Sequence, residues 1–182
     1  MEKTTKVITD VVRASFVHVW EPTSMQDGGP KKYSMALLIP KANKAMIKQI
    51  REAIAEAEIL GLPKWGGKKP AVLKQPLRDG DVEKPDDENY KGMYWINASS
   101  SQQPGVLGPD KNELLDKTKL YSGCYVKADI NFYAFNSNGN RGIACGLNNI
   151  LVVKDGPALA GKESAKVAFA NVEVPEDDTD GL

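Results

Sequence analysis

The chain predicts a mainly β domain built around one principal helix. Three observations carry that expectation: repeated stretches of period-two alternation, an Asn-Gly pair between two of them, and a single apolar stripe at helical spacing. Lys6 to Trp20, rich in Val, Ile, Thr, Phe and Trp, reads as a long first strand, with Val12, Ala14 and Phe16 on one face and Arg13 and Ser15 on the other. Residues 21–30 form a loop punctuated by Pro22, Gly28, Gly29 and Pro30. Lys31 to Ile39 is a second strand whose Tyr33, Met35, Leu37 and Ile39 share a face, and Pro40 stops it. Asn43 is placed to cap a helix running to about Leu60, because Met46, Ile47, Ile50, Ile54 and Ala57 recur at helical spacing while Lys48, Arg51, Glu52 and Glu56 mark the wet side. Gly61 and Pro63 end it. A loop rich in turn formers follows to Lys91. Met93 to Ala98 is then a third strand, with Trp95 and Asn97 facing away from Tyr94, Ile96 and Ala98.

The most informative segment runs from Cys124 to Val153. Val126, Ala128, Ile130, Phe132 and Ala134 alternate with Tyr125, Lys127, Asp129, Asn131, Tyr133 and Phe135, so one face suits a core and the other carries rings beside a cation. Asn138 and Gly139 tolerate the positive φ angles of a tight hairpin turn. With those two at the centre, Phe132 falls opposite Cys145, Ile130 opposite Leu147, Val126 opposite Leu151, Tyr133 opposite Ala144 and Asn131 opposite Gly146. Rings over small residues with Lys127 nearby suit flat, anionic ligands, single-stranded nucleic acid first among them. A face carrying Tyr and Phe is equally suited to burial under a helix or a second subunit, and the hairpin alone leaves both open.

At 182 residues the chain fits one domain, and 41% hydrophobic with 26% charged residues is ordinary for a soluble protein. No apolar run has the length of a membrane span, and Met1-Glu-Lys-Thr-Thr-Lys6 lacks the apolar stretch of a secretory signal. The expectation is therefore a protein of the cytoplasm, with no membrane partner. Cys124 and Cys145 read as buried free thiols. The net charge of +0 conceals a division: residues 173–182 hold five acids and no base, leaving 19 acids against 24 bases, or +5, in the rest. We read residues 1–170 as the folded domain and residues 171–182 as a flexible acidic tail whose Glu176, Asp177, Asp178, Asp180 and Leu182 are placed to meet a basic groove or a partner protein. Solvated acidic termini that only aid solubility are common as well.

Several constellations of residues could carry chemistry. Asp79, Asp81, Asp86, Asp87 and Glu88 hold enough carboxylate for a Mg²⁺ nest, but they sit in a Gly/Pro-rich loop, and turn chemistry explains Asp79-Gly80-Asp81 better. His18 has no nucleophile pattern with it. No phosphate-binding loop and no dinucleotide fingerprint is present, so the sequence implies no cofactor, no metal site and no catalytic residue. Cations and rings are instead distributed along the chain. Arg13, Lys32, Lys68, Lys69, Lys127 and Arg141 are candidates for phosphate contact, and Tyr33, Trp65, Trp95, Tyr125, Tyr133 and Phe135 for base stacking. For Trp65 a plug over the core is the competing role.

Leu38-Ile-Pro-Lys41, Pro76-Leu-Arg-Asp-Gly-Asp81, Ile96-Asn-Ala98, Tyr121-Ser-Gly-Cys-Tyr125, Asn131-Phe-Tyr-Ala-Phe135 and Gly139-Asn-Arg-Gly-Ile-Ala-Cys-Gly-Leu-Asn-Asn149 together resemble the single-stranded DNA-binding proteins of phages. The resemblance spans about Lys6 to Phe169 and is most specific from Tyr121 to Asn149. It implies an oligonucleotide-binding (OB) fold, a five-stranded antiparallel barrel with one main helix and long loops. It also implies sequence-independent, non-enzymatic binding of single-stranded DNA in phage replication or recombination in the bacterial host, where phage or host proteins are partners. The acidic end is similar to tails of other replication single-strand binders, which often finish in an aromatic residue where this chain has Leu182. Two rival readings stand beside it. A structural or assembly protein would use the aromatic face as the interface of a homo-oligomer, and a metal-dependent nuclease would need the loop carboxylates.

Overall fold

The computed structural model describes residues 4–24, 28–159, 169 and 171–174. Among the described residues there are eight strands: β1 (Lys6–Ile8), β2 (Val12–Ser24), β3 (Lys31–Pro40), β4 (Arg78–Asp79), β5 (Met93–Ser100), β6 (Gly105–Leu107), β7 (Tyr125–Ser137) and β8 (Asn140–Lys154). Five of them close into a ring, in the order β2, β3, β5, β8, β7 and back to β2. The expected five-stranded barrel is therefore there. One contact departs from a purely antiparallel barrel: β5 and β8 run parallel, with Ala98 beside Cys145 and Ser99 beside Gly146. Parity requires this, because five strands that alternate in direction around a ring must leave one like-directed pair. The three remaining strands extend the ring: β1 pairs with β7, β4 with β5, and β6 with β8.

The barrel interior is filled by the alternating set read from the sequence, including Val12, Ala14, Met35, Leu37, Ile39, Ile96, Ala98, Val126, Ile130, Phe132 and Leu147. Helix α1 (Lys44–Gly61) packs against β7 and buries Met46, Ile47, Ile50, Ala53, Ile54 and Ala57. Each large aliphatic side chain so buried contributes about 1.5–3 kcal/mol. Asn43 caps the helix as expected, its Oδ1 accepting from the Met46 N–H at 3.2 Å. Gly61 permits a close approach of the helix to β7, since a Cβ there would collide with that of Ala134. Cys124 and Cys145 are buried free thiols, both pushed up in pKa by burial.

The hairpin register follows the sequence where the turn sets it. Asn138 (φ 51°) and Gly139 (φ 86°) form the turn, and Phe132 pairs with Cys145, Ile130 with Leu147, Tyr133 with Ala144 and Asn131 with Gly146. Farther along, Val126 pairs with Val152 instead of Leu151, because β8 carries one extra residue between Leu147 and Asn149, opposite the Asp129–Ile130 step. The first strand also divides. Lys6 to Trp20 is two strands, interrupted where Thr9 turns inward, donating its N–H to the Ala128 carbonyl and accepting the Ala128 N–H on Oγ1, both at 2.9 Å. Phe16, expected on the core face with Val12 and Ala14, is instead 54% exposed.

Candidate nucleic-acid interface

The site begins with an irregularity in β2. Ser15 pairs with Ala36 and His18 with Ser34, so three steps on β2 oppose two on β3. Phe16 absorbs the extra residue with φ at 47°, a region that bulky side chains rarely occupy. The bulge reverses the alternation and turns the Phe16 ring out of the barrel. Together with His18 it borders a groove of about 520 Å³ on the outer face of β2, β3 and β5, lined further by Lys32, Ser34, Lys84, Trp95, Asn97 and Ser99.

The other wall is supplied by the segment after β4. Asp79 caps the short helix α2 (Gly80–Glu83) by accepting from the Asp81 N–H, and Lys41 clamps both carboxylates, at 2.6 Å from Asp79 and 2.8 Å from Asp81. Hydrogen bonds from Lys41 hold both aspartates below the usual carboxylate range, and the same pair raises the Lys41 ammonium. These are two of the carboxylates a nuclease reading would need, and both serve the clamp. Beyond α2, Tyr90, Trp95 and Leu38 form a small core outside the barrel, joined by Met93 and Leu159. The Tyr90 hydroxyl meets Ser15 Oγ at 3.2 Å, and burial raises its pKa. Lys84 projects from this platform, its Nζ 5.3 Å from the Phe16 ring centroid, 4.9 Å from Tyr90 and 5.1 Å from Trp95. One ammonium among three rings, beside Lys32 and His18, gives the groove aromatic surface and positive charge together.

The structure distributes the candidates named from the sequence over several places. Lys32 and Trp95 line the groove. Trp95 is only 7% exposed, and Arg78 and Lys84 lie over its ring, so little of it is open for stacking. Tyr33 alternates with Lys32 and Ser34 and falls on the side of Met35 and Leu37, away from the groove. Trp65 is a core residue, 7% exposed, with its indole N–H donating to the Phe135 carbonyl at 3.1 Å, an environment that suits a plug and leaves little ring surface for stacking. Lys69 pairs with Glu58 at 2.9 Å on the helix side, and Lys68 and Arg141 are exposed there and at the hairpin turn. Arg13 donates to the carbonyls of Gly123 and Pro157, which ties its guanidinium to the chain's exit from the barrel instead of leaving it for phosphate. Tyr125 lies between Arg13 (5.6 Å) and Lys154 (5.0 Å).

Lys127, Tyr133 and Phe135 occupy the hairpin's outer face, Tyr133 with its hydroxyl raised in pKa by partial burial. Gly142 leaves room for the Phe135 ring, since a Cβ there would lie 3.0 Å from the ring and 2.7 Å from Lys74. The tail residues Glu176, Asp177, Asp178, Asp180 and Leu182 lie outside the described residues. Sequence reasoning put Phe16 on the core face, read His18 only as a packed or stacking side chain, and passed over Lys84. The spacing Phe16-Val-His-Val-Trp20 was a signal for the first two; nothing local marked Lys84, which reaches the groove only through the fold of its loop.

A closed five-stranded ring whose second and third strands carry a cationic, ring-lined groove defines an oligonucleotide-binding-fold protein. The family model described as the single-stranded DNA-binding protein of Enterobacter phage Enc34 matches residues 5–179, and the chain belongs to that family. It is 32% identical over 172 residues to putative protein p50 of Acyrthosiphon pisum secondary endosymbiont phage 1, covering 89% of this chain and 90% of that one. Among solved structures, the bacteriophage Enc34 single-stranded DNA-binding protein in complex with ssDNA is 31% identical and aligns with a TM-score of 0.78 over 86% of this chain and 90% of its own. The bacteriophage T7 single-stranded DNA-binding protein gp2.5 shares 13% identity and a TM-score of 0.62 over 90% of this chain and 99% of its own, a likeness of fold alone.

Proposed function

We propose that this chain binds single-stranded DNA without sequence preference, seating the strand in the groove bordered by Phe16, His18, Lys32, Lys84 and Trp95. The observation that carries the reading is Phe16, held out of the barrel at a positive φ with the Lys84 ammonium 5.3 Å from its ring. An exposed ring accepts any base, and adjacent cations gain affinity by releasing phosphate counterions. The relative solved in complex with ssDNA supports the choice of ligand. In this reading the protein coats and shields unpaired strands during phage replication or recombination in the host cytoplasm, acting by binding and not by catalysis. Lys127, Tyr133 and Phe135 on the hairpin contribute secondary contacts.

The acidic tail, with Glu176, Asp177, Asp178 and Asp180, competes with the strand for the groove and is released to partner proteins when DNA arrives. Removing residues 173–182 then tightens binding at low salt and steepens the salt dependence. Fluorescence polarization with labelled dT and duplex oligonucleotides over a salt series tests the whole reading. Tight, salt-sensitive binding of dT that exceeds duplex binding is expected; no retention of dT in dilute buffer overturns it.

A further inference from the structure

The three tryptophans differ in one respect that the groove explains. Trp20 donates its indole N–H to the Lys117 carbonyl at 3.1 Å, and Trp65 donates to Phe135 at the same distance. Trp95, in the wall of the groove, has a buried Nε1 with no acceptor among the described residues. A buried donor without an acceptor is costly, and its retention in a native fold calls for a reason. Packing alone does not supply one, since a phenyl ring would sit in the same apolar cluster of Leu38, Tyr90, Met93 and Leu159 without the orphaned group.

We propose that the Trp95 indole N–H is a ligand donor, completed only when single-stranded DNA brings an acceptor oxygen into the groove. This deepens the reading above and rests on it. Of the two cations over the Trp95 ring, Arg78 at 5.6 Å and Lys84 at 5.1 Å, Lys84 is the one that also lines the groove. Drawn toward a phosphate, the Lys84 ammonium leaves the Trp95 ring and opens the wall of the groove beside the indole to the incoming strand. Trp95 therefore serves as a positioning hydrogen-bond donor, while Phe16 supplies the ring. The acceptor is either a phosphate oxygen or a carbonyl of the base.

The test is a titration of the full chain, labelled with ¹⁵N, watching its three indole N–H signals. The Trp95 signal is assigned by its loss in Trp95→Phe or, without any variant, through its Overhauser contacts with the Tyr90 ring. Saturation with a dT oligomer should move the Trp95 signal downfield and slow its solvent exchange, while those of Trp20 and Trp65 stay in place. An abasic deoxyribose-phosphate oligomer of equal length separates the two acceptors: a shift with both oligomers identifies phosphate, and a shift with dT alone identifies the base. Trp95→Phe should weaken dT binding about 3- to 10-fold with an unchanged salt slope, since no charge is lost. A Trp95 signal that stays in place while dT is bound overturns the inference. Failure of dT to bind at all would instead remove the reading of the groove itself.

Discussion

The outer face of the β7–β8 hairpin and the groove on β2, β3 and β5 both carry rings and lysines, but they are made in different ways. The hairpin face follows from strict alternation and an Asn-Gly turn, and its side chains stand where a regular strand puts them. The groove is made of exceptions: a bulge that everts Phe16, a loop folded back over the sheet, and a lysine surrounded by rings from three parts of the chain. Regular structure gives this protein its barrel. Departures from regularity give it a concave, charged surface. Strain and special conformations cluster where a fold does work other than holding itself together.

That contrast can be broken most directly by paired substitutions. Phe16→Ala with Lys84→Gln should lower affinity for dT oligonucleotides about 50-fold or more, since each stacked base is worth about 1–3 kcal/mol and the lost cation adds a phosphate contact. The salt slope should fall by about 0.7 from the lysine alone. Tyr133→Ala with Phe135→Ala should cost only a few-fold in the same polarization assay. Equal losses from the two pairs would move the hairpin into the main site.

A second, smaller effect sharpens the role of the bulge. Phe16→Gly and Phe16→Ala both remove the ring and should bind dT equally poorly. Glycine, however, accepts φ at 47° without penalty, so Phe16→Gly should be more stable than Phe16→Ala by about 1 kcal/mol in urea unfolding. Equal stabilities would mean that the everted residue is not strained.

The smallest effect concerns the clamp that holds the Lys84 loop. Lys41 depresses the pKa of Asp79 and Asp81, so the folded state favours their ionised forms. Their contribution is fully present above the unfolded carboxylate pKa, about 3.9, and is lost as pH falls through the lower folded values. Stability should therefore be flat in this respect from neutral pH to about 5 and decline in the acid range below. Lys41→Met should flatten that acid-side decline in thermal unfolding followed across pH.

Much of the barrel was legible from residues alone. The Asn43 cap, the Met46 to Ala57 stripe and the hairpin register near Asn138 all follow from local rules, and local rules held there. The divided first strand and the register slip beyond Ile130 were not legible, because each depends on one residue whose conformation is imposed by a neighbouring strand. The site was legible only in part for the same reason. Lys32 and Trp95 could be named from strand alternation. Phe16 was assigned to the wrong face because alternation assumes an unbulged strand, and Lys84 is far in sequence from the strands it meets. Arg13 and Trp65 show the converse: residue types suited to nucleic acid that the fold uses for itself.

The chain leaves β8 by a short strap. Tyr121 Oη donates to the Gly156 carbonyl at 2.8 Å, the Leu159 N–H bonds to the Ser122 carbonyl at 2.9 Å, and the Leu159 side chain joins the Trp95 cluster beside the groove. Leu159 is thus anchored in the cluster that walls the groove. Tethering of this kind gives a local concentration in the millimolar range, independent of how dilute the protein is. The competition proposed above between the acidic end and a bound strand, being intramolecular, would be insensitive to expression level and would respond to ionic strength.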